Sequence, residues 1–210
     1  KIDKVDNTPI SLNAINYLKE KIKSINADAI IFSDFRHGIF NKYSINDLSS
    51  VLRKIKNVIK IADSQVASRW GNICDFQNFD LITPNEKEAR FSLGDQDSSI
   101  SNLTRQLFKK SKCKYLILKL GSRGSFVVDN TKKSNTFSFP SLTNNLIDPV
   151  GAGDALLAYS TYGLLASKSI VQASIMGSLA AACACESDGN IPLDKKIILK
   201  KIENFEKNLR

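Results

Sequence analysis

Short apolar runs, each closed by polar residues, alternate along this chain with longer stretches in which apolar residues recur every three to four positions. Ala29–Phe32, Val58–Ala62, Leu81–Thr83, Tyr115–Leu120 and Ser125–Val128 are short, largely apolar and rich in β-branched residues, as strands buried on both faces are. Thr136–Phe139 reads as an edge strand. Helical spacing runs over Ser11–Ile25, with Ser11 as N-cap, and over Ser44–Ile55, Glu86–Leu93 and Ser99–Ser111. Three more helices are predicted near Ala152–Ala166, Ile170–Cys185 and Asp194–Asn208. Strands alternating with helices imply an α/β domain built on a mostly parallel sheet covered on both faces. Ligands of such sheets bind beyond the carboxyl ends of the strands. Polar clusters fall at those ends: Ser33-Asp34, Asp63-Ser64, Asn85 with Glu88, and Gly121–Gly124. No internal repeat, low-complexity tract or linker interrupts the pattern.

Composition narrows the chemistry. The 210 residues are 42% hydrophobic and 24% charged, enough for one domain with a real core. No run is long enough to span a membrane and no signal-peptide pattern opens the chain, so a cytoplasmic protein is expected, with no membrane partner. The formal charge is +9. Its lysines are scattered, with no aromatic-interleaved basic motif, so phosphorylated small molecules are expected partners and nucleic acid is not. None of the four cysteines forms a CxxC pair, which points to free thiols. With His37 the only histidine, Ser-His-Asp and multi-histidine zinc chemistry lack their parts.

Three stretches carry candidate chemistry. Asp148-Pro149-Val150-Gly151-Ala152-Gly153-Asp154 puts two glycines and an acid at the mouth of a helix, where free backbone N–H groups suit an anion. An acid beside such a cradle suggests a base acting on the group that phosphate will meet. The plain alternative is a glycine turn with Asp154 in a first helical turn that favours acids anyway. Pro84-Asn85-Glu86-Lys87-Glu88 opens a helix after a strand. Asn85 and Glu88 make either a capping box or an amide and a carboxylate suited to a hydrated Mg²⁺. Lys119-Leu120-Gly121-Ser122-Arg123-Gly124 is either a hairpin turn with glycines at positive φ or a backbone surface for nucleotide phosphates. The Walker pattern is absent.

The first stretch resembles the D-T-x-G-A-G-D signature of the PfkB (ribokinase-like) carbohydrate kinases. The second is similar to that family's P-N-x-x-E motif, and Leu118–Gly124 to its nucleotide-binding T-L-G-x-x-G segment, in the same order. Ile31–Gly38 resembles the S-D-Y-x-K-G element of the ADP-heptose synthase kinase branch. The resemblance covers the chain from about Ala27 onward. It implies a three-layer α-β-α, ribokinase-like fold and transfer of phosphate from ATP to a sugar or sugar-phosphate hydroxyl. Asp154 would be the base, and the N–H groups of Gly151, Ala152 and Gly153 the anion hole. Asn85 and Glu88 would organise Mg²⁺ through water. Lys119, Gly121, Ser122 and Gly124 would line the ATP site, with Ser178 near the adenine. Asp34 would face the substrate, and Asp148, Val150, Ala184, Ser187 and Gly189 would hold a monovalent cation, usually K⁺.

The chain departs from the pattern in places. Pro149 stands where Thr is usual, which fixes φ and removes an N–H. Lys119 replaces another Thr, exchanging a hydroxyl for a charge. Arg36 and His37 differ from the heptose branch. The chain is also shorter than a whole family member, so the resemblance implies one partial kinase domain over residues 1–210. The N-terminal strands, the Gly-Gly sugar motif and a β-sheet lid that often builds a homodimer would be missing, with Lys1–Asn7 as the close of the last lid strand. A nucleoside kinase of the same fold and a non-catalytic nucleotide-binding scaffold stay open.

Overall fold

The computed structural model describes residues 8–65, 72–131, 135–189 and 191–208. The stretch read as the end of a lid strand, Lys1–Asn7, lies outside the described residues. The elements run α1 (Leu12–Ser24), β1 (Ala29–Asp34), α2 (Lys42–Leu52), β2 (Ile59–Ser64), β3 (Leu81–Ile82), α3 (Glu86–Leu93), α4 (Ile100–Ser111), β4 (Tyr115–Lys119), β5 (Ser125–Asp129), β6 (Asn135–Phe139), α5 (Ala152–Ser167), α6 (Ile170–Cys185) and α7 (Lys195–Asn208). Short 3₁₀ turns sit at Ile73–Asp75 and Gly121–Arg123.

Helix starts follow their caps. Ser11, Asn41, Asn85, Ser99 and Ser169 each accept a backbone N–H from the first turn of the helix they precede. The apolar pattern places α2 at Ser44–Ile55, but it begins at Lys42 and ends at Leu52. Asn41 takes the N–H groups of Tyr43 and Ser44, and the Ser44 hydroxyl accepts from the Asn41 N–H, so Ser44 closes a capping box from inside the helix. Past Leu52 the chain turns, reaching left-handed backbone at Asn57.

Six strands form one sheet in sequence order, β1 to β6. β1–β2, β2–β3 and β3–β4 are parallel, with Asp34 opposite Ser64 and Ile61 opposite Leu81. β4 and β5 form an antiparallel hairpin: Leu120 N–H bonds the Gly124 carbonyl at 2.8 Å and Asn130 N–H the Lys114 carbonyl at 2.9 Å. A connection this short cannot make a parallel crossover.

Two compact units result. One takes the described residues up to Leu118 and the segment from Val128. Its parallel strands follow one another in chain order, so right-handed crossovers carry their connecting helices on a common face. The core there holds Ile45, Leu48, Ile61, Leu81, Leu103 and Leu116, all fully or almost fully buried. Phe32, Phe40, Phe76 and Phe79 cluster with ring centroids 5.0–6.3 Å apart.

The other unit takes Lys119–Val127 and the described residues from Asn135 on. Its centre is the α5–α6 pair, where small residues let the backbones close. A Cβ at Gly163 would lie 2.9 Å from Ala173 Cα, and one at Gly177 would lie 2.9 Å from the Leu156 carbonyl and collide with Ser160 Oγ. α7 docks Ile198 against Ala180 and Cys183.

Candidate functional site

In the first unit the parallel register lines up the polar strand ends. Asp34, at 2% exposure, closes β1 beside Ser64. Thr83, just past β3, donates to Asp63 at 3.0 Å. The Asp34 carboxylate is already engaged: Oδ1 accepts the Arg36 N–H at 2.7 Å, and Oδ2 accepts Arg36 Nη1 at 3.0 Å and the Ser64 hydroxyl at 3.4 Å. Arg36 holds this grip from left-handed backbone, φ 63°, a conformation that favours glycine and costs other residues energy. The Ser64 hydroxyl also makes a short hydrogen bond to Asn72 Oδ1. Asn72 Nδ2 and Arg36 Nε are buried donors without a hydrogen-bond partner.

Asn85 and Glu88 form the capping box in full. Glu88 N–H bonds Asn85 Oδ1 at 2.8 Å, while the Glu88 oxygens accept the Asn85 N–H at 2.6 Å and its Nδ2 at 2.7 Å. Glu88 is 4% exposed. Among the described residues no three His, Cys, Asp or Glu side chains gather as a metal cluster. One carboxylate and one amide suit an ion that keeps its own water shell, as Mg²⁺ does with few protein ligands.

In the second unit the turn between β4 and β5 uses both glycines at positive φ, Gly121 at 60° and Gly124 at 85°. Gly124 is pressed against the Phe139–Ser141 backbone, with Ser141 N 2.7 Å from where a Cβ would stand. Ser122 is exposed at the tip. Lys119, at the end of β4, reaches the mouth of α5: its Nζ is 3.6 Å from a Cβ built on Gly153. The hydroxyl-to-ammonium exchange therefore places a cation at the glycine loop.

That loop is built from backbone. Gly151 is the N-cap of α5 at φ 81°, and no side chain caps the helix there. Pro149 offers its carbonyl to Ala152 N–H at 3.3 Å, and Asp148 Oδ1 accepts Val150 N–H at 2.9 Å. Asp154 lies in the first turn, half-buried. The Cys185 carbonyl accepts the N–H groups of Ile147 and Asp148 at 2.8 and 3.1 Å, which lays Asp148–Val150 beside the end of α6. Ala184, Ser187 and Gly189 follow there. Ser187 donates its N–H to the Ala184 carbonyl and its hydroxyl to the Cys183 carbonyl, each at 3.1 Å. Ser178, on α6, is buried with an unpartnered hydroxyl.

Burial alone would raise the Glu186 pKa, but Lys201 and the N–H groups of Asn144 and Asn145 outweigh it and hold the carboxyl below its usual range. The four cysteines are free thiols, and burial pushes Cys113 up to about 12.

Residues 10–196 match the model of the pfkB family of carbohydrate kinases. The chain belongs to that family. Two bifunctional HldE proteins are similar to it. That of Campylobacter fetus is 26% identical over 158 residues, 74% of this chain and 32% of the relative. That of Sulfurimonas denitrificans is 25% identical over 213 residues, 99% of this chain and 42% of the relative. The chain thus spans about a third to two fifths of the length of these curated relatives. Among solved structures, phosphofructokinase-2 from Escherichia coli in complex with potassium superposes with a TM-score of 0.79 at 18% identity, over 94% of this chain and 64% of that one. Ribokinase from Giardia lamblia gives 0.74 at 18%, over 95% and 65%. These likenesses show the fold, a three-layer, ribokinase-like α/β arrangement with a mostly parallel sheet. No described helix is long and apolar enough to cross a membrane. Membership places the chain in a family of carbohydrate kinases.

Proposed function

We propose that this chain carries the phosphoryl-transfer half of a kinase acting on a hydroxyl of a sugar or sugar phosphate. One observation carries the reading: α5 opens through left-handed Gly151 with no side-chain cap, with Asp154 one turn in and Lys119 Nζ beside Gly153. Gly151 has no side chain to compete for the first-turn N–H groups, of which Ala152 N–H also meets the Pro149 carbonyl, and N–H groups at such a helix start suit an anion. The Asp154 carboxylate takes the proton of the acceptor hydroxyl as that oxygen bonds phosphorus and the bond to the nucleoside diphosphate breaks. The proton ends on Asp154. Gly151, Ala152 and Gly153 face the charge of the transferring group with backbone dipoles fixed beforehand, which is where most catalysis of this reaction resides.

Asn85 and Glu88 would hold Mg²⁺ through its waters, and the ion would neutralise phosphate charge. Asp148, Val150, Ala184, Ser187 and Gly189 would supply oxygens to a monovalent cation. The Ile147 and Asp148 bonds to Cys185 support that reading by bringing the two segments side by side, and the Escherichia coli enzyme of this fold was solved with potassium. Gly121, Ser122 and Gly124 would border the nucleotide, with Ser178 at the base. Asp34, oriented by Arg36 and Ser64, would face the acceptor.

The test is a panel of sugars, sugar phosphates and nucleosides with MgATP, with and without K⁺, on the intact protein and on Asp154→Asn. A general base is worth roughly 10²–10⁴-fold, so the variant should lose at least about 100-fold in turnover while still binding ATP. Near-normal turnover in Asp154→Asn would remove the base from the scheme. No ADP formed with any acceptor would favour a nucleotide-binding scaffold.

A further inference from the structure

α6 ends at Cys185, and the residue after it, Glu186, is the hub of a second set of contacts. Its Oε1 accepts the Asn144 N–H at 2.7 Å and Lys201 Nζ at 2.5 Å. The adjacent Cys185 carbonyl takes Ile147 and Asp148. Three amides of the segment 144–148 therefore end on two neighbouring residues at the carboxyl end of α6. Gly151 follows three residues later.

Lys201 is a lysine at only 8% exposure, and its Nζ lies 5.8 Å from the Phe205 ring centre. α7, which carries it, is anchored by Ile198 in the core formed with Ala180 and Cys183. A lysine buried this far needs a partner, and removing one member of such a pair leaves a charge stranded. An ion pair serving only to dock α7 would leave the loop untouched. Here one oxygen, Glu186 Oε1, serves both the ammonium and the loop amide, so losing the cation disturbs the acceptor that holds Asn144. Lys201 also lies beyond residue 196, where the family match stops, while Glu186 and the loop lie within it.

We propose that Lys201, acting through Glu186, is a positioning residue that pins the segment 144–148 and thereby sets the glycine loop against the first turn of α5. The geometry stands by itself; its consequence for turnover rests on the kinase reading above.

Lys201→Met, Lys201→Arg and Glu186→Gln test it, with amide hydrogen exchange and steady-state kinetics run on the same preparations of the intact protein. In Lys201→Met, exchange at residues 144–148 should speed up at least tenfold while the interiors of α5 and α6 stay protected. Its kcat should fall at least tenfold with KM for the acceptor within twofold, and Lys201→Arg should recover most of both. Unchanged exchange at 144–148, or unchanged kcat per folded molecule with only a lower Tm, overturns the proposal. If Lys201→Met does not fold, Glu186→Gln faces the same criteria, because it removes the charge and keeps the size. Expected exchange with no turnover in any form, wild type included, sinks the kinase reading and leaves the clamp standing. Full activity in Lys201→Met beside a dead Asp154→Asn does the reverse.

Discussion

At the scale of single residues, Lys119 and Asp34 show what a motif does and does not say. The motif places residue 119 at the end of β4; only the structure shows its ammonium 3.6 Å from where a Gly153 side chain would begin. Charge-assisted contacts are worth about 1.5–3 kcal/mol, which is roughly 10–100-fold. Lys119→Met should therefore lower kcat/KM for ATP by at least about tenfold, and Lys119→Arg should keep most of it; steady-state kinetics with varied ATP will decide. Asp34 adds a second lesson. An acid at a strand end reads as a ligand group, and the structure shows Arg36, two residues on, orienting both its oxygens from a left-handed backbone. Nothing in a linear pattern marks a side chain that folds back over its neighbour. Asn72 and Lys201 escaped for a related reason. Their partners lie eight and fifteen positions away, with no period to connect them.

At the scale of elements the pattern was a good guide wherever apolar spacing and cap agreed. Ile170–Cys185 is read to the residue, while α2 begins two residues earlier than its apolar spacing because Asn41 caps it and Ser44 closes the capping box. The hairpin after β4 separates its two glycines. Both have positive φ, but a Cβ at Gly121 meets nothing within 4 Å, whereas one at Gly124 collides with the Phe139 carbonyl and reaches Pro140 C and Ser141 N. Gly121→Ala should cost on the order of 1 kcal/mol, the left-handed penalty alone. Gly124→Ala adds the collision to a glycine-only backbone worth about 1–3 kcal/mol, so it should cost at least about 3 kcal/mol and displace the turn. Urea unfolding of the two variants side by side measures the difference; equal losses would mean that Phe139–Ser141 yields freely.

At the scale of the whole molecule the balance of +9 acts through its field rather than through any one lysine. Screening shortens to about 8 Å at physiological ionic strength, so the attraction for a phosphorylated acceptor and for ATP will fade as salt rises. With K⁺ held constant and choline chloride added, kcat/KM should fall several-fold between low and high ionic strength while kcat changes little. A neutral sugar acceptor should show a weaker slope in its own KM. A kcat that falls in parallel would point to loss of the proposed monovalent cation or of folding instead.

The close approach of α5 and α6 at Gly163 and Gly177 has a consequence for how this protein can diverge. The helix that carries Asp154 and the helix whose end receives the preceding loop touch nearly backbone to backbone. Any larger residue at position 177 must contend with Ser160 Oγ and the Leu156 carbonyl together. Single replacements there are blocked, and drift has to proceed through paired exchanges on facing helices. Positions 160 and 177 should therefore covary in collections of related sequences, while the exposed face of α5 around Tyr162 drifts without constraint.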